Sequence, residues 1–138
     1  MAASNEDPSG ITEGPDGAER RTQPVTALLT GRVGLVVRLQ AQPGGRAAVL
    51  DALHRYADDL DEEPGTQMFT ISIDPDNADL VWLGEWFADA DAHRAHQSSG
   101  AFARLMGELP DLLATSPGVL RLDPLRASFQ PALIDELG

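Results

Sequence analysis

The stretch Leu80–Phe102 constrains the fold of this chain more than any other. It opens on an apolar run, Leu80 to Phe87, that suits an extended strand. Asp89 follows as an N-cap, and a helix starts at Ala90. Gln97–Gly100 interrupts that helix. Ala101–Leu109 continues as another, with Phe102, Leu105, Met106 and Leu109 at core spacing, and Pro110 closes it. A strand that turns directly into a helix pins one corner of a domain. The same window holds both tryptophans, Trp82 and Trp86, two of the three histidines, His93 and His96, and an inward-capable Glu85.

The flanking sequence supplies the rest of the layout. Val33–Gln42 alternates: Val33, Leu35, Val37, Leu39 and Ala41 share one strand face, and Val36, Arg38, Gln40 and Gln42 the other. Pro43-Gly44-Gly45 breaks the strand. Arg46–Leu60 then repeats Val49, Leu50, Leu53, Tyr56, Ala57 and Leu60 at helical spacing. Glu63-Pro64-Gly65 turns the chain into a second strand, Thr66–Asp74, joined by a turn over Asp74–Asn77 to Leu80–Phe87. Val119–Asp123 is the fourth strand. The order β-α-β-β-α-β predicts an α+β, ferredoxin-like fold: a four-stranded antiparallel sheet with helices on one face. The other face would carry Val36, Arg38, Gln40, Met68 and Thr70. A second sheet packed there gives a homodimer with a barrel-like centre, a dimeric α/β barrel. Residues 1–30 read as a flexible acidic arm, 31–124 as the domain and 125–138 as a C-terminal tail with a short helix over Pro131–Leu137.

Composition narrows the function. With a net charge of −12, the surface repels phosphate backbones, which argues against nucleic acid as a partner. No run approaches the ~20 apolar residues of a membrane span. The first residues lack the pattern of a secretory signal, so a cytoplasmic protein is the expectation. Cysteine and lysine are absent, which removes disulfides, thiolate ligands and Schiff-base chemistry. Neither a phosphate loop nor a dinucleotide fingerprint occurs, and Ser98-Ser99 reveals no triad.

Several short motifs in order resemble the antibiotic biosynthesis monooxygenase family: Gln42-Pro43-Gly44 after the first strand, Glu63-Pro64-Gly65-Thr66, Glu85 and Trp86 closing the hairpin, and Ala95-His96-Gln97-Ser98-Ser99. The resemblance covers roughly Val33 to Pro124. It implies a dimeric α+β barrel with a cleft between sheet and helices. It also implies oxidation of an electron-rich aromatic, such as a hydroquinone, anthrone or polyketide phenol, by O2 with no cofactor. The haem-degrading branch carries Asn, Trp and His at places that correspond here to Val37, His96 and Met106, so no haem ligand is implied.

The candidate catalytic residues are His96 and His93, because a neutral imidazole is available as a base near pH 7. His96 has a structural reading too, closing the strand-to-helix corner against Glu85. His93 lies three residues earlier on the same helical face and reads as a pocket or a surface residue. Candidate substrate contacts are Trp82, Trp86, Arg38, Tyr56, Glu85 and Phe102. The tryptophans read as core packing or as the floor of an aromatic pocket. Arg38 would hold an anion or pair with Glu85 across a dimer, and the Tyr56 hydroxyl would sit at the rim. The histidines lack the i, i+4 spacing of a helical metal site, and no metal is assigned. Two other functions fit the same scaffold: a polyketide-type cyclase or isomerase, and a non-catalytic dimeric ligand-binding accessory protein.

Overall fold

A computed structural model describes residues 11–13 and 19–138, with side chains from Thr22 onward. Of the arm expected over residues 1–30, residues 1–10 and 14–18 lie outside the described residues. The chain divides into two compact units, Thr30–Pro124 and the segments on either side.

In chain order the strands are β1 (Ile11–Glu13), β2 (Glu19–Arg21), β3 (Val25–Leu28), β4 (Val33–Gln40), β5 (Thr66–Ile73), β6 (Leu80–Phe87), β7 (Gly118–Leu122) and β8 (Arg126–Phe129). The helices are α1 (Arg46–Asp58), α2 (Ala90–Gln97), α3 (Gly100–Leu112) and α4 (Pro131–Leu137).

Within Thr30–Pro124 the order is β-α-β-β-α-β, its second helical segment split into α2 and α3. The sheet runs β5-β6-β4-β7, every neighbouring pair antiparallel, which is the ferredoxin-like arrangement. Alternation along the strands sends Val37, Leu39, Val81 and Leu83 into a core with Val49, Ala52, Leu53 and Tyr56 of α1 and Ala101, Leu105 and Leu109 of α3. The register Phe69↔Glu85↔Leu35↔Arg121 sets these four side chains in one row on the helix side of the sheet.

Local chemistry fixes the corner that carries the histidines. The Asp89 side chain accepts from the Ala92 N–H at 2.7 Å and caps α2. The Ser99 hydroxyl accepts from the Phe102 N–H at 2.9 Å and caps α3. Gly65 lets α2 lie close to the start of β5: a Cβ there would stand 2.5 Å from the Ala92 Cβ. Gly44 takes φ +72°, the left-handed conformation the turn before α1 requires.

Two boundaries depart from expectation. α1 ends at Asp58, and a single 3₁₀ turn, Leu60–Glu62, replaces its last turn; the acidic run is unfavourable at a helix C-terminus. α3 continues through Pro110 to Leu112. Proline removes only its own N–H donor near the helix end, and Leu109 and Leu113 are both buried around it.

The second unit is built from strand pairs and a short helix. β8 pairs with β3 over Val25↔Phe129 to Leu28↔Arg126, and α4 follows from Pro131, a residue suited to the first helical turn. β1 pairs with β2.

Candidate active site

The helix-covered face of the sheet encloses a cavity of about 320 Å3 within Thr30–Pro124. Its wall is mostly apolar, with Leu35, Val37, Leu83, Leu105 and Leu109 among the lining residues. Five of the eight residues singled out from sequence line it: Tyr56, Glu85, His93, His96 and Phe102. The other three do not. Arg38, Trp82 and Trp86 lie on the opposite face of the sheet, because the register pairs Arg38 with Trp82 and Gly34 with Trp86. Neither tryptophan lines this cavity, and Arg38 and Glu85 stand on opposite faces of the sheet. The Trp82 indole N–H instead donates to Asp74 Oδ2 at 3.3 Å.

His96 is 6% exposed and packs against Phe87 and Phe102, with ring centroids 4.9 and 4.4 Å away. Its Nδ1 lies 2.7 Å from Glu63 Oε1. The same oxygen accepts from the Tyr56 hydroxyl at 2.7 Å and the Thr66 hydroxyl at 2.8 Å, while Glu63 Oε2 accepts from the Ser99 hydroxyl at 2.6 Å. Burial pushes the Glu63 carboxyl up, but the bonds from Ser99, Tyr56, His96 and Thr66 outweigh it and hold its pKa below the usual range. A carboxylate can only accept, so His96 Nδ1 carries the proton. In the neutral ring, Nε2 is then left as an acceptor. The Tyr56 hydroxyl sits inside this network and not at a rim. Burial, then its bond to Glu63, raises its pKa far beyond the usual value.

Sequence reasoning places Glu63 in a turn and misses this role, together with those of Thr66 and Ser99. A signal is present: Glu63-Pro64-Gly65-Thr66 and Ala95–Ser99 both stand out as motifs, and Glu63 is what joins them. Nothing local distinguishes a buried turn carboxylate from an exposed one.

Glu85 stands on the cavity wall with a different environment. It is 5% exposed, and its ion-pair contact among the described residues is His96 Nε2 at 3.9 Å. Burial, then the charge of Glu63, pushes its pKa up to about 7. His93 stacks on Phe87 at 4.8 Å. Burial, then His96, Arg121 and Arg94, lowers its pKa and keeps it neutral at pH 7. Among the described residues, no three His, Asp or Glu side chains are placed to share a metal ion, and no helix is long and apolar enough to cross a membrane.

The arrangement is a largely apolar, aromatic-sized pocket with an oriented imidazole at its wall and a protonatable carboxyl beside it. It suits removal of a proton from a flat substrate and stabilisation of the anion that results.

Comparison with known proteins agrees with the fold. No curated protein matches the chain by sequence. Among solved structures, a candidate antibiotic biosynthesis monooxygenase from Caulobacter crescentus superposes with a TM-score of 0.65 at 21% identity, over 71% of this chain and 93% of that one. A protein of unknown function from Nitrosomonas europaea gives 0.64 at 28% identity, over 73% and 95%. A protein from Mycobacterium tuberculosis gives 0.63 at 21% identity, over 68% and 95%. The family model described as antibiotic biosynthesis monooxygenase matches residues 32–108, a span that contains Tyr56, Glu63, Glu85, His93, His96 and Ser99. With more than half of its length inside that match, the chain belongs to the antibiotic biosynthesis monooxygenase family.

Proposed function

We propose that the protein is a monooxygenase that oxidises an electron-rich aromatic, such as a hydroquinone, an anthrone or a polyketide phenol, with O2 and without a resident cofactor. The observation that carries this reading is His96: its Nδ1 is tied to the buried Glu63 carboxylate, and its ring lines an apolar cavity. Nε2 takes the phenolic proton. The anion passes one electron to O2, and the radical pair joins as a peroxide at carbon. For an anthrone, the methylene carbon gives up both hydrogens and becomes a carbonyl. One oxygen atom of O2 stays on that carbon, and the other leaves with the two hydrogens as water. The substrate supplies every electron, so the chain needs no redox group of its own. The apolar wall excludes water and holds the ring, with Phe102 and His93 as contacts.

The same reading includes a second copy of the chain on the sheet face of Val36, Arg38, Met68, Trp82 and Trp86, which faces away from the helices. Sedimentation at twice the 14.7 kDa chain mass is the expected result. A monomer at micromolar concentration contradicts it.

Oxygen uptake with a hydroquinone or an anthrone tests the activity. Wild-type uptake should fall about 100-fold or more in His96→Ala, the range for loss of a general base, and should fall in His93→Ala. Uptake unchanged in His96→Ala, oxidised product formed under nitrogen, or tight binding of an unaltered ligand would each overturn the proposal.

A further inference from the structure

The oxidation just described uses His96 and leaves Glu85 without a step. Glu85 is nevertheless a buried carboxyl on the cavity wall, carried there by β6 between Leu35 and Phe69, both apolar. Its Oε1 lies 3.9 Å from His96 Nε2, too far for a hydrogen bond between them. The two groups are thus held apart, facing one space.

We propose that His96 Nε2 and the Glu85 carboxyl form an acid–base pair that enolises ketones bearing an acidic α C–H, an activity that needs no O2. An α-carbon and its carbonyl oxygen are about 2.4 Å apart by standard bond lengths and angles. A ketone lying along the pair presents the carbon to the nitrogen and the oxygen to the carboxyl. The C–H proton goes to Nε2, the Glu85 O–H proton goes to the carbonyl oxygen, and the C=C bond of the enol forms. The imidazolium then gives its proton to solvent and the Glu85 carboxylate takes one from solvent, so both groups are restored and the net change is ketone to enol. Reversal in heavy water places deuterium on the α-carbon.

The groups around Glu85 favour its acid form. Glu63, from the turn before β5, is the charge it feels. Tyr56 of α1 is neutral. His93 of α2 is held towards its neutral form, and Nε2 of His96, also on α2, lies 3.9 Å from the carboxyl. Arg121 of β7, in the same cross-sheet row beyond Leu35, is exposed and 3.8 Å from Asp123. The substrate class that follows is an aryl ketone small enough for the cavity, its α C–H acidified by the ring.

This inference rests on His96 as the base of the proposed function, and its test separates the two. Deuterium incorporation into β-tetralone is followed by NMR under nitrogen in heavy water. Wild-type protein should exceed the buffer rate at least tenfold and fall off above a pH near 7. Glu85→Gln keeps the shape and a donor but cannot give up a proton, and it should lose about 100-fold together with that alkaline limb. Glu85→Leu should lose as much, and thermal melting shows whether each variant is folded; if Glu85→Leu does not fold, Glu85→Gln decides. Exchange within twofold of wild type in folded Glu85→Gln overturns the inference. So does wild-type exchange no faster than buffer, even where oxygen uptake with a hydroquinone stands. Exchange without oxygen uptake supports the pair and overturns the monooxygenase.

Discussion

Two carboxylates share the buried site and are treated in opposite ways. Glu63 is 4% exposed and Glu85 is 5% exposed, so burial alone does not separate them. Glu63 receives hydrogen bonds from Tyr56, Thr66, His96 and Ser99, and its pKa is lowered. Glu85 stands among apolar neighbours with His96 Nε2 at 3.9 Å, and its pKa rises to about 7. The difference teaches that a buried carboxyl keeps its charge where donors reach it. It also divides the work: Glu63 orients the imidazole, and Glu85 faces the pocket as an acid.

The harshest way to break this contrast is to remove the charged member. Glu63→Ala leaves His96, Tyr56, Thr66 and Ser99 without their shared acceptor. Loss of a buried, fully bonded charge costs about 3–5 kcal/mol, readable by urea denaturation. Activity should fall with it, because the His96 tautomer is no longer fixed. A loss under ~1 kcal/mol, the size of one ordinary hydrogen bond, would show that Glu63 does not organise the corner.

Much of the frame is legible in the sequence. Leu80–Phe87 and Pro131–Leu137 form the elements expected at the residues expected, since an apolar run between turns and a leading proline are local signals. Asp89 caps α2 for the same reason. The site is half legible. His93 and His96 stand out as residue types, but the identity of the His96 partner depends on contacts 33 residues apart. Glu63 looks like any acidic turn residue before Pro64. The tryptophans mislead because alternation separates the two faces of β6 without saying which one the helices cover; bulk suggests the core, and register puts Glu85 there instead. β8 goes unseen because its partner, β3, lies about a hundred residues away and Arg126–Phe129 has little pattern of its own.

The central claim is that the folded site holds Glu85 as an acid beside an ionised Glu63. It is tested most directly by comparing the stability of wild type and Glu85→Leu between pH 5 and pH 8. The unfolded chain gives up the Glu85 proton near the ordinary value of 4.5, whereas the folded protein holds it to about 7. Over that window the unfolded state binds fewer protons, so this group lowers wild-type stability as pH rises, and the loss levels off above 7. The interval corresponds to about 3 kcal/mol. Glu85→Leu should therefore gain on wild type by roughly that amount between pH 5 and 8, the gain levelling off above 7, while losing deuterium exchange. A difference between the two proteins that stays flat, or turns against Glu85→Leu as pH rises, would mean that Glu85 is already ionised in the folded site and would contradict the account.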